Sequence, residues 1–161
     1  MRTRFWRQRT NIISATLTLI ASLLLTGCLG NDEEDWNGKN ISGLMPELEF
    51  DLINSQGELV SGSDYSGRVR MLFFGFTSCP DVCPTALQKL NQATSGLDPA
   101  LQDEVLTLFV SVDPKRDTPE RLAKYVDFFG DNIVGLTGKE PQLRELAKRY
   151  RTTFGYDEPA A

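Results

Sequence analysis

The sequence predicts an α/β domain, a parallel sheet with helices packed on it. Residues 69–76 and 105–112 are nearly continuous apolar runs, the pattern of central strands covered on both faces. The segments that follow carry apolar residues at helical spacing, and proline opens two of them. The order β-α-β-α-β-α then calls for parallel strands joined through helices.

Residues 48–53 alternate apolar and polar side chains, residues 54–57 supply turn chemistry, and residues 58–60 return as a second short strand, which together predict a hairpin. The run at 69–76 leads directly into Thr77-Ser78-Cys79-Pro80-Asp81-Val82-Cys83-Pro84. From Pro84 to about Ala93, Ala86, Leu87 and Leu90 fall on one helical face. The strand at 105–112 ends in Asp113-Pro114-Lys115-Arg116-Asp117. Thr118-Pro119-Glu120 then reads as an N-cap, a proline at the first helical position and an acid in the first turn, with Leu122, Tyr125, Val126 and Phe129 facing inward. Residues 133–136 form a short third strand, and residues 138–150 a helix with Leu143, Leu146, Ala147 and Tyr150 at core spacing.

What precedes this domain reads as targeting. Arg2, Arg4, Arg7 and Arg9 come before an uncharged apolar stretch at residues 12–25, and Leu25-Thr26-Gly27-Cys28 follows. The stretch is shorter than the roughly 20 residues that a bilayer span requires, and the arrangement is that of a signal peptide. It resembles a bacterial lipobox, which implies lipidation at Cys28. Residues 1–27 are therefore expected to be a lipoprotein signal peptide, residues 28–45 a solvated tether, and residues 46–161 the folded domain. The protein is then expected in the bacterial cell envelope, lipid-anchored to the membrane and facing the periplasm or the cell exterior.

Composition narrows the chemistry. The 161 residues include 17 Lys plus Arg, 22 Asp plus Glu, three cysteines and no histidine. Loss of residues 1–27 would leave 13 basic against 22 acidic side chains, a formal charge of −9, which argues against nucleic acid as a partner. Within these residues the absence of histidine excludes Ser-His-Asp hydrolysis and histidine-ligated metal sites. Thiols, carboxylates and backbone remain.

With Cys28 lipidated, Cys79 and Cys83 are the two thiols left, four positions apart where a strand hands over to a helix. Residues i and i+4 of a helix share a face at Cα separations of about 6 Å, within the roughly 4.4–6.8 Å that a disulfide tolerates. A reversible bridge and a shared metal are both sterically reasonable. The helix N-terminus should lower the pKa of a cysteine placed there, Cys83 in this reading, while the loop keeps Cys79 accessible. Two soft sulfurs favour Cu(I) over Mg or Ca, but they do not fill a tetrahedral zinc site. The plainest alternative is an inert disulfide staple, although so short a ring constrains the unfolded chain little.

Three motifs carry a family resemblance: Gly75-Phe76-Thr77-Ser78-Cys79-Pro80-Asp81-Val82-Cys83-Pro84-Thr85, then Phe109-Val110-Ser111-Val112-Asp113-Pro114-Lys115-Arg116-Asp117-Thr118-Pro119-Glu120, then Gly135-Leu136-Thr137-Gly138. Together they resemble the Sco/SenC family over residues 46–156. The resemblance implies a thioredoxin-like fold, a central sheet with flanking helices. It also implies Cys79 and Cys83 as copper ligands and redox pair, and delivery of copper to, or reduction of the thiols of, the dinuclear copper site of cytochrome c oxidase. The partners implied are the oxidase subunit carrying that site, an upstream copper donor or thiol reductant, and the membrane through the lipid anchor. Family members complete the copper site with a histidine further along the chain, and this chain has none. It stops at Ala161, where the resemblance implies two more strands, a histidine-bearing loop and a final helix. The expectation is thus a C-terminally truncated chain with an open sheet edge, weakened Cu(II) binding and two-thiolate Cu(I) binding retained.

Other features read as structural. Asp113 and Asp117 are either carboxylates near the thiols or, in a D-P-x-x-D loop, turn and capping chemistry. Phe73, Phe74 and Phe76 read as core, with one of them shielding the thiols. Lys139, Arg144, Lys148, Arg149 and Arg151 alternate with acids on a solvated helix face. Three functions stay open: a copper-binding assembly factor with no turnover, a thiol-disulfide oxidoreductase using Cys79 and Cys83, and a lipoprotein fragment that is non-functional or holds only a structural bridge.

Overall fold

The computed structural model describes residues 38–156. Cys28, the expected signal peptide and most of the expected tether lie outside the described residues. Among those described, no helix is long and apolar enough to cross a membrane.

The hairpin comes first along the described chain. Strands β1 (Asp51–Asn54) and β2 (Leu59–Ser61) pair antiparallel with Asp51 opposite Ser61. Asn54 makes the turn: its side-chain carbonyl accepts the backbone N–H of Gln56 at 3.0 Å and of Glu58 at 2.9 Å. Gly57 takes the left-handed conformation that such a turn needs, at φ +81°.

Three parallel strands follow, β3 (Val69–Gly75), β4 (Val105–Ser111) and β5 (Ile133–Thr137). The helices are α1 (Val82–Ser95), the single turn α2 (Pro99–Gln102), α3 (Pro119–Val126) and α4 (Glu140–Arg149). The strand order is β2-β1-β5-β4-β3, with β1 antiparallel to β5. The sequence signals missed α2, which is only four residues long, and extended α3 to Phe129, three residues beyond its end.

Alternation along β4 divides the core between the two faces of the sheet. Leu106, Leu108 and Val110 pack with Leu52, Leu136 and, from α4, Leu143 and Leu146. Phe109 points the other way, into Leu87 of α1, Leu122 and Val126 of α3, Phe129 and Ile133. The result is a sheet covered by α4 on one face and by α1 and α3 on the other. After α4 the chain turns back on the domain, where the Tyr156 hydroxyl donates to the Val112 carbonyl at 2.6 Å.

One expectation is corrected. Among the described residues the run at 69–76 is an edge strand, not a central one. Among the described residues β3 pairs with β4 alone, and six of its seven residues are half-buried or exposed, while six of the seven in β4 are buried. Apolar composition made the two strands look alike, and position in the sheet separates them. An open sheet edge was expected without a place assigned to it, and among the described residues one edge of the sheet is β3, the strand that leads to the thiols.

Candidate thiol and metal site

The carboxyl ends of β3 and β4 lie side by side, Gly75 opposite Ser111. The chain leaving Gly75 makes a tight loop, in which the Cys79 N–H donates to the Phe76 carbonyl at 3.2 Å, and enters α1 at Val82. Cys79 is half-buried in the loop, and Cys83 is buried in the first turn of α1. Both are free thiols. The Cys83 N–H donates to the Cys79 sulfur at 3.3 Å, so the Cys79 side chain itself occupies the N-terminus of the helix.

That geometry reverses the expected order of acidity. Burial raises the Cys79 thiol, but hydrogen bonds from the Cys83 thiol and from the N–H groups of Cys83, Asp81 and Val82 outweigh it and bring Cys79 below its ordinary value. Burial pushes Cys83 up to about 11, and the hydrogen bond it gives to Cys79 and the charges of Cys79 and Asp117 act in the same direction. Lying within the first helical turn is therefore less effective than lying in front of it. The N–H groups point out along the axis to Cys79, whereas the Cys83 side chain turns back beneath the sheet.

Gly75 makes room for that side chain. A Cβ there would stand 3.0 Å from the Cys83 sulfur and 2.7 Å from Cε2 of Phe109. Phe73 and Tyr125 stack beside Phe109 at ring distances of 6.0 and 5.4 Å. The Tyr125 hydroxyl is buried and has no hydrogen-bond partner among the described residues. Burial and the nearby charges of Cys83, Cys79 and Asp117 push its pKa up to about 12. Phe73 and Phe74 serve the two core faces as expected, and Phe76 contributes backbone to the thiol loop.

The β4–α3 loop contributes the other half of the site. Thr118 caps α3, its hydroxyl accepting the Arg121 N–H at 3.4 Å, with Pro119 and Glu120 following as the sequence predicts. Asp113 is turn chemistry: its carbonyl accepts the N–H groups of Arg116 and Asp117, and its carboxylate pairs with Arg116. Asp117 goes further. It is buried, and its carboxylate accepts the Thr77 N–H at 2.8 Å, the Thr77 hydroxyl at 2.6 Å and the Ser111 hydroxyl at 2.6 Å. Arg121 donates to the hydroxyls of Thr77 at 2.7 Å and Ser78 at 3.0 Å. Sequence reading placed Asp117 as a candidate but missed Gly75, Thr77, Ser111, Tyr125 and Arg121. Forty residues separate Thr77 from Asp117, and no local spacing joins them.

Two of the basic residues of α4 are engaged within the domain. Arg144 pairs with Glu140 and lies 4.7 Å above the Phe154 ring, and Arg149 pairs with Glu49. Among the described residues no group of three or more His, Cys, Asp or Glu is placed to hold a metal. Two adjacent sulfurs are what the site offers, a donor set that suits a two-coordinate soft cation and not a four-coordinate zinc.

Comparison with known proteins identifies the family. The family model described as SCO1/SenC matches residues 43–160. The human mitochondrial SCO1 homolog is 42% identical over 106 residues, covering 65% of this chain and 35% of that protein. Sco1 from Schizosaccharomyces pombe is 37% identical over 105 residues, 65% of this chain and 40% of the other. The chain spans about half or less of the length of these curated relatives. Among solved structures, yeast Sco1 with copper bound superposes with a TM-score of 0.64 at 31% identity, over 72% of this chain and 65% of that one.

Proposed function

This chain belongs to the SCO1/SenC family, and from that premise we propose that it is a membrane-tethered copper-handling protein in which Cys79 and Cys83 carry Cu(I) as cargo. Its acceptor is the dinuclear copper site of cytochrome c oxidase, and Cys28 is its lipid attachment point. The observation that carries the reading is the pair of free thiols at the mouth of α1, Cys83 donating to the Cys79 sulfur, with no group of three metal-binding side chains among the described residues. Cu(I) is soft and accepts two thiolates. On binding, both thiols release their protons, Cys79 first because the helix N-terminus already favours its thiolate. Half-exposed Cys79 is also the sulfur that an incoming acceptor thiol can reach for ligand exchange.

Titration of the reduced protein with Cu(I) tests this. About one equivalent should bind, and Cys79→Ala or Cys83→Ala should abolish binding. Full retention in both variants would exclude the site.

The unequal thiols favour a second reading, a thiol-disulfide oxidoreductase. The Cys79 thiolate attacks a partner disulfide, forming a mixed disulfide and expelling one partner thiolate. Cys83 then loses its proton and attacks the Cys79 sulfur, releasing the second partner thiolate and leaving a Cys79–Cys83 bridge. Two electrons pass to the partner. A reduction potential above about −300 mV would support that activity, since inert structural bridges lie below it.

A further inference from the structure

Asp117 is 1% exposed. A carboxylate withdrawn from water is costly unless donors fill its oxygens, and the donors found here are informative. Ser111 comes from the end of β4, but the other two hydrogen bonds come from one residue, Thr77, through both its backbone N–H and its hydroxyl. Thr77 lies two positions before Cys79. Its hydroxyl, having donated to Asp117, accepts from Nε of Arg121, whose Nη2 reaches Ser78, the next residue towards the thiol. The guanidinium also stands 3.8 Å from Oδ1 of Asp117.

A carboxylate needed only to shape its own turn would bond locally, as Asp113 does with Arg116. Asp117 instead reaches across to the thiol loop, which starts where the Val112 N–H donates to the Gly75 carbonyl and closes on itself where the Cys79 N–H donates to the Phe76 carbonyl. We propose that Asp117, seconded by Arg121, is a positioning residue for the thiol pair, holding Thr77 and Ser78 so that the Cys79 sulfur stands ready in front of α1. This rests on the reading of Cys79 and Cys83 as a Cu(I) site. Its physical content is preorganisation: a loop already fixed has less ordering to undergo when the cation binds.

The test uses the reduced full chain and the variants Asp117→Asn, Thr77→Val, Thr77→Ser and Arg121→Met. Cu(I) affinity is measured by competition with bicinchoninate, Cys79 alkylation by iodoacetamide at pH 8, and folding by thermal melting. Asp117→Asn and Thr77→Val should weaken Cu(I) binding by on the order of 10-fold or more, the usual consequence of losing a partner that orients a metal ligand. Arg121→Met should lose less. Thr77→Ser, which keeps the hydroxyl, should stay within about threefold of wild type, whereas Thr77→Val keeps the shape and fails; a packing role would rank these two the other way. If Asp117→Asn does not fold, the Thr77 pair decides. Wild-type affinity in Thr77→Val overturns the proposal. Should wild type bind no Cu(I), the cargo reading falls by itself and alkylation decides the positioning role. A Cys79 rate reduced threefold or more in Thr77→Val but not in Thr77→Ser upholds it, and equal rates overturn it.

Discussion

Strands β3 and β4 are both seven residues long, both mostly apolar and paired in register, yet they live in different surroundings. β4 has a strand on each side and core on both faces, so all but Val105 are buried. β3 has one strand neighbour among the described residues, and only Gly75 is buried. The loops that follow divide the same way. After β3 comes the reactive segment with Cys79, and after β4 comes the buried carboxylate that grips it. The more enclosed strand thus leads to the residue that anchors the thiol loop of its more open neighbour.

The largest test of that contrast is truncation within each strand. Leu108→Ala in β4, where the side chain is fully buried, should cost about 2–5 kcal/mol by urea unfolding, and Leu72→Ala in β3, half-buried, less than about 2 kcal/mol. Equal losses would show that β3 is as enclosed as β4. Within the site, the two cysteines repeat the contrast. At pH 8 a thiol near 11 is about one-thousandth ionised, while one below the ordinary 9.0 is more than about one-tenth ionised. Cys79 should therefore be alkylated at least about 100-fold faster than Cys83 as judged by peptide mapping. Cys83 should stay unreactive past pH 9, where an ordinary thiol has lost its proton, and become reactive only as pH approaches 11. A faster Cys83 would reverse the assignment. The smallest effect lies where the two strands meet: Gly75→Ala places a methyl against Phe109 and the Cys83 sulfur and should cost about 1–3 kcal/mol. A neutral result would mean that the pocket around Cys83 is loose.

These residues also show what a sequence can and cannot disclose. Helix caps are local, so Thr118, Pro119 and Glu120 were legible in order. The hairpin was legible from Asn54 and Gly57, and the thiols from their position between an apolar run and a proline-rich helix start. Strand order was not, because β3 and β4 carry the same apolar signature and differ only in their neighbours. The relative acidity of the cysteines was misassigned because it depends on where each sulfur points from the helix end, a matter of ångströms that spacing does not encode. Asp117 was visible as a candidate, but its partner Thr77 is joined to it only by the fold.

The central claim is that two sulfurs, and they alone, hold the cargo. X-ray absorption at the copper edge of the Cu(I)-loaded reduced protein tests it most directly. The account predicts a first coordination sphere of two sulfurs from Cys79 and Cys83 in a linear arrangement. A sphere dominated by nitrogen or oxygen donors, unchanged when both cysteines are replaced, would contradict it.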